Sequence, residues 1–182
     1  MEIFGKNYPI DLADMDEPDV REWIIPWLSQ YFEIEEEQKG RFLVDGTEVI
    51  IDYLIKAKPE LIEKGFIAEK IGFEVKRPSD LKNLSAWASW QAITYSMSQF
   101  QGERPPFVIL FPRIRYFYKN KEECSHAYAL ENLLFRANVG FLDFTERGSW
   151  RFDFNGKYYW DSVKGLGDEH HRALKRYVGT KK

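Results

Sequence analysis

The sequence predicts an α/β fold: a mixed central β-sheet flanked by helices, with an additional aromatic β-hairpin near the C-terminus. Three observations carry this. Apolar and β-branched runs at 49–55 and 107–111 have the length and composition of strands. Residues 20–32 and 80–100 repeat their apolar positions at helical spacing. Two dipeptides, Asp45-Gly46 and Asn155-Gly156, separate strand-like segments as hairpin turns do. The 182 residues are 44% hydrophobic and 16% aromatic, which suits one domain, 1–182, with a substantial core.

The elements follow in order. Residues 1–16 show little periodicity. Pro18 suits a first helical turn, and Val20 to Phe32 reads as a helix with Trp23, Trp27 and Tyr31 on one stripe. Pro26 inside it predicts a kink or restart. Arg41–Val44 and Thr47–Ile50 flank the first hairpin turn, and the second strand runs on to Ile55. There Asp52 is expected to share a face with Ile50 and Leu54. Glu35, Glu36 and Glu37 decorate a solvated strand. Residues 59–66 read as a loop or one helical turn, and Ile67 to Lys76 as a strand. Pro78, Ser79 and Asp80 cap a long helix, Asp80 to Phe100. Phe107–Phe111 is a buried central strand, and Glu122 to Ala137 a helix. In the second hairpin, a two-residue turn sets Phe152 opposite Tyr159 and Arg151 opposite Trp160. Residues 168–182 read as a short basic helix and frayed end.

The chemistry concentrates in Gly72-Phe73-Glu74-Val75-Lys76-Arg77-Pro78. On a strand, Phe73 and Val75 point into a core while Glu74 and Lys76 project together from the other face. Ionised groups in apolar strands are costly unless they are paired, bound to a metal or open to a cleft. Asp52, the one acid in Val49–Ile55, poses the same question. Downstream, Gln91 and Tyr95 lie one helical turn apart, so both polar tips reach one place. By themselves they read equally as a core-facing pair with ordinary partners.

Ile51-Asp52, then Glu74-Val75-Lys76, then Gln91-Ala92-Ile93-Thr94-Tyr95 resembles the PD-(D/E)XK nuclease superfamily. The likeness is to RecB-like and lambda-exonuclease-type members with a Gln-x-x-x-Tyr element. It covers about residues 18–115, leaving 116–182 as a C-terminal elaboration. Isoleucine replaces the motif's proline before Asp52, and the gap from Asp52 to Glu74 is long. The resemblance implies a restriction-endonuclease-like fold and a Mg²⁺-dependent nuclease acting on DNA, with Mn²⁺ able to substitute. Asp52, Glu74 and the Val75 carbonyl would hold the metal, which favours oxygen ligands and few carboxylates. Lys76 would act on the attacking water or the developing charge, and Gln91 and Tyr95 would sit near the catalytic strand. Members of the superfamily often add an acid from the first core helix. Glu22 is the candidate, and it reads equally as an exposed helix acid.

Charge is segregated. Residues 1–75 carry 8 Lys/Arg against 18 Asp/Glu, and residues 76–182 carry 18 against 11. An acidic half with the ligands and a basic half for phosphates suits a nuclease; chance segregation gives the same numbers. Arg77, Arg113, Arg115 and Tyr116 are the candidate nucleic-acid contacts, since basic and aromatic residues interleave at a strand end there. An ordinary edge segment has the same composition. No apolar run approaches a membrane span of about 20 residues, and no leader pattern opens the chain, so a cytoplasmic protein without membrane contact is expected. The single Cys124 excludes an intrachain disulfide or cysteine-rich metal site. His126, His170 and His171 lack metal-ligand spacing. Two other readings stay open: a catalytically inactive nuclease-fold module binding nucleic acid or protein, and an RNA-directed nuclease. With no second domain to read sequence, specificity would come from loops, a homo-oligomer or a protein partner.

Overall fold

Successive side chains of a strand point to opposite faces, so the apolar run at 107–111 needs a cover on both. The structure, a computed structural model, provides it; it describes residues 12, 14–78, 85–114, 121–144, 149–154 and 157–167. Strand β5 (Val108–Phe111) lies near the middle of one mixed sheet. Ile109 and Phe111 face a core that includes Val20, Ile24 and Leu28 of helix α1 (Glu17–Tyr31). Leu110 faces Ala88 and Ala92 of α3 (Ser85–Ser96) and Leu134 of α4 (Lys121–Arg136). The result is a mixed α/β architecture with helices on both sheet faces.

The remaining elements are β1 (Phe32–Phe42), β2 (Glu48–Ala57), the single-turn helix α2 (Pro59–Glu63), β3 (Ile71–Val75), β4 (Ser98–Phe100), β6 (Val139–Phe144), β7 (Trp150–Phe154), β8 (Lys157–Asp161) and β9 (Gly165–Leu166). The nine strands are ordered β4-β1-β2-β3-β5-β6-β7-β8-β9. Among the described residues only β3–β5 and β5–β6 pair in parallel. Those pairings need crossovers, which α3 and α4 supply. Among the described residues no helix is long and apolar enough to cross a membrane.

Several boundaries differ from the sequence reading for identifiable reasons. Helix α1 starts at Glu17, three residues early, because Asp16 and Asp19 form a capping box. It runs through Pro26 without a restart. Trp23 and Trp27 form the expected stripe: Trp23 stacks on Phe111 at 6.1 Å, and Trp27 meets Phe144 at 4.9 Å and Trp150 at 5.3 Å. Such pairs add about 0.5–1.5 kcal/mol each beyond their buried area. The first hairpin turn spans residues 43–47, longer than the two residues expected, with Gly46 at φ 81°. Residues Ser98–Phe100 do not continue α3 but pair with β1 as an edge strand. Gly40 permits this, since a Cβ there would lie 2.4 Å from the Phe100 ring. In the second hairpin Phe152 pairs with Trp160 and Arg151 with Asp161, one residue off the predicted register. An irregularity between Phe152 and Asp153 absorbs the extra residue, as a β-bulge does. Its Asn155-Gly156 turn, like the tail at 168–182, lies outside the described residues.

Arg113 overturns one expectation. It is not on a phosphate-facing surface but fully buried. Its guanidinium bonds Glu131 of α4 at 2.8 Å, Asp153 of β7 at 2.7 Å and Asp143 of β6. Burial lowers its pKa, but Asp143, Glu131 and Asp153 outweigh this and raise it above the ordinary guanidinium value. The planar fork of five donors suits several carboxylates at once, so this arginine fastens α4 to the C-terminal strands. Arg113→Ala would remove the cation on which three buried carboxylates converge, at a cost of about 3–5 kcal/mol. Thermal melting is the check: Tm should fall by about 10 °C, and a surface-like change of a degree or two would contradict the buried network.

Candidate active site

Phe73 and Val75 belong to the core beneath α1, so Glu74 between them faces the α3 side. There it is 1% exposed. The β2–β3 register pairs Tyr53 with Phe73 and Leu54 with Gly72. One step further Asp52 stands opposite Glu74. Lys76 leaves the strand end, and its Nζ donates to Glu74 Oε1. The expected projection of Glu74 and Lys76 from one face is therefore observed, with the two groups in direct contact.

Asp52 departs from simple alternation. Ile51 packs with Leu54 and Tyr95, whereas Tyr53 lies in the α1-side core. Ile51 and Tyr53, which alternation would place on one face, lie on opposite ones. Two local features accompany the change. The β1–β2 pairing is interrupted between Glu36–Tyr53 and Gln38–Ile51, and there Glu37 takes a left-handed φ of 49°. Gly72 then leaves room for Ile51, whose Cδ1 lies 2.7 Å from where a Cβ would be. As a result the Asp52 N–H donates to Glu74 Oε2 at 3.2 Å, and Asp52 Oδ2 accepts the Val75 N–H at 2.8 Å.

A residue that sequence reasoning missed completes the arrangement. Arg21 Nη2 donates to Asp52 Oδ1 and to Glu17 Oε1, the latter at 2.8 Å. Glu17, one helical turn before Arg21, is the acid that α1 brings to the site. Glu22 is exposed. The usable signal was the start of α1: with Asp16 as N-cap, residues 17, 20, 21 and 24 fall toward one side. On the other flank Gln91 Nε2 donates to the Tyr95 hydroxyl at 2.9 Å, and Tyr95 is buried. The predicted convergence of these two tips is observed.

The electrostatics are those of two acids held too close. Burial first, then the Asp52 charge, pushes the Glu74 pKa up to about 8, against the pull of Lys76. Asp52 is raised too, chiefly by burial, with the Val75 N–H, Arg21 and Lys76 opposing. Burial, then the Glu74 charge, raises the Tyr95 phenol above its ordinary value, so it stays a neutral donor at physiological pH.

Among the described residues no group of three or more His, Cys, Asp or Glu forms a metal cluster. The donor set still fits Mg²⁺, which takes one or two carboxylates and retains water. Each of the four carboxylate oxygens accepts one bond, and an ionised oxygen has room for a second. Val75, whose carbonyl is the third candidate ligand, sits where the β2–β3 ladder ends. Arg77 is exposed just beyond Lys76. Arg115 and Tyr116 lie outside the described residues, and Arg113 is withdrawn as a contact by its burial.

Two outcomes follow from this geometry. The folded state holds the Glu74 proton up to about pH 8 and the unfolded chain releases it near 4.5, so stability should fall as pH rises through that window. Denaturant titrations should show this slope flattened in Glu74→Gln; an unchanged slope would mean Glu74 titrates normally. Arg21→Ala removes a cation that competes for Asp52, so Mn²⁺ affinity measured by calorimetry should rise, about threefold or more. Weaker binding would mean Arg21 organises the site instead.

Comparison of the chain with family models, with curated proteins and with solved structures returns no match in any of the three, so function is argued from these residues themselves.

Proposed function

We propose that this chain is a Mg²⁺-dependent nuclease of the PD-(D/E)XK type, hydrolysing phosphodiester bonds in DNA, with Mn²⁺ able to substitute. The supporting observation is the juxtaposition of Asp52 and Glu74 across neighbouring strands, with Lys76 on Glu74. The order of the parts, Asp on β2, Glu-x-Lys on β3 and Gln-x-x-x-Tyr on α3, is that of the superfamily.

A bound divalent cation would neutralise a phosphoryl oxygen and acidify a coordinated water. Asp52 and Glu74 would hold it as the hard oxygen donors it prefers. Lys76 Nζ, 13% exposed, could move from Glu74 to the charge that develops on the phosphoryl group, which is where preorganised donors act. Because the Tyr95 oxygen accepts from Gln91, its own proton is free to be donated beside Glu74. Arg21 bridges Glu17 and Asp52, and a bound cation would compete with it for the Asp52 carboxylate.

One observation favours a second reading, a nuclease-fold module without catalysis. Arg21 and Lys76 already bond the two carboxyl groups that a cation would share. The distinguishing experiment incubates the protein with linear duplex, circular single-stranded and supercoiled DNA and with RNA, each with Mg²⁺, Mn²⁺ or chelator. Metal-dependent cutting of DNA is expected, falling about a hundredfold or more in Lys76→Ala. Cutting of RNA alone would move the substrate. Binding without cleavage under every metal would favour the inactive module.

A further inference from the structure

The side of α3 that carries Gln91 and Tyr95 continues outward to a tryptophan. Ala88 and Ala92 are buried against the sheet, which sets the helix's inner face. Trp87, Gln91 and Tyr95 follow at four-residue steps, so they form one row along its flank. The inner end of the row is Tyr95, buried and within the field of Glu74. The outer end, about 12 Å along the axis, is Trp87, 64% exposed. Tryptophan is on average one of the more buried residues, yet this indole stands in solvent on the helix that carries Gln91 and Tyr95. A second exposed indole, Trp90, belongs to a different row. Seven residues on, two turns along that row, is Met97, whose carbonyl takes the Leu43 N–H at 3.2 Å, so that row runs to the tip of the β1–β2 hairpin.

We infer that Trp87 is a stacking platform for an unpaired base of the substrate, and that the strand reaches Asp52 and Glu74 single-stranded. The inference rests on the nuclease reading for its cutting arm but not for its binding arm. In a duplex the bases are paired and stacked on one another, so their faces are closed to a side chain; an unpaired base offers its whole π-face. Arg77, exposed one residue beyond Lys76, supplies positive charge for the backbone of the same strand. Trp87 is then a positioning residue: it fixes where the strand lies and takes no part in proton or phosphoryl transfer.

The test measures the affinity of a thymidine homopolymer and of a blunt duplex by fluorescence anisotropy in chelator, where no cutting occurs. Wild type, Trp87→Ala, Trp87→Phe and Trp90→Ala are compared, with thermal melts to verify folding. The expected result is tighter binding of the single strand and a loss on the order of tenfold in Trp87→Ala. Trp87→Phe should recover most of it, and Trp90→Ala should bind as wild type does. Duplex affinity should barely change in any variant. In the cleavage assay with Mg²⁺, Trp87→Ala should raise KM with a smaller effect on kcat. Equal affinity for both probes, or indifference to Trp87→Ala, overturns the platform even if the protein cuts DNA. Loss of binding in Trp90→Ala alone would place the strand on the hairpin side and also overturn it. Self-association abolished by Trp87→Ala without loss of oligonucleotide binding would assign the indole to a second copy of the chain. Trp87-dependent binding of the single strand without cleavage under any metal leaves the platform standing and rejects the nuclease reading.

Discussion

Two carboxylates held side by side at the end of a buried strand pair must be compensated, and several local features of this molecule supply that compensation. Withdrawing one ion from water costs several kcal/mol after relaxation, and with Asp52 beside it Glu74 holds its proton up to about pH 8. Four donors meet them, one for each oxygen: the Arg21 guanidinium from α1, the Lys76 ammonium, and the N–H groups of Val75 and Asp52. Each requires something of the backbone. Helix α1 must begin early enough to bring Arg21 over the strand. β2 must interrupt its pairing with β1 so that the Asp52 N–H reaches Glu74. β3 must end its ladder with β2 before Val75 so that this N–H turns to Asp52.

The Arg113 cluster is a useful contrast, because the same residue types there have the opposite character. Its carboxylates converge on a guanidinium that is 0% exposed, with Asp143 and Glu131 closed off as fully. In the candidate site Asp52 and Lys76 keep 14% and 13% of their side-chain surface. A closed ionic cluster holds elements together; a nearly closed one with an opening toward solvent leaves room for a ligand. Neither charge nor pairing separates the two. Access does.

That difference explains what was legible in the sequence. The Asp52, Glu74 and Lys76 constellation was readable because charge in apolar strands needs a reason, and strand alternation placed Glu74 and Lys76 together. Gln91 and Tyr95 were readable from a four-residue spacing. Arg113 was misread, since a basic residue just past a strand looks the same whether carboxylates from α4, β6 and β7 enclose it or solvent does. Those partners are 18 to 40 residues away. Arg21 was missed for the same reason: its partner Asp52 is 31 residues distant. The strand Val139–Phe144 was also missed, and the register of the second hairpin slipped by one, because a bulge leaves no mark in an alternating aromatic segment. Local periodicity carried the elements; long-range pairing of charges did not show in it.

The antiparallel pairing of β1 with β4 covers only Gly40–Phe42 of its eleven residues. Among the described residues the free side of Phe32–Lys39 has no strand beside it, and a long unpaired edge is a template for another chain to extend the sheet. This is the stretch that carries Glu33, Glu35, Glu36 and Glu37. A copy docking antiparallel against it would set carboxylates opposite carboxylates, which is unfavourable in cross-strand pairs. The acidic run, chemically idle with respect to the candidate site, thus protects the molecule from edge-to-edge aggregation. Replacing Glu33 and Glu36 by neutral β-formers would weaken that repulsion, whereas Glu35 is also tied to Lys70 and Gln101 at 2.6 Å and Glu37 stands at a left-handed φ of 49° that a β-branched residue resists.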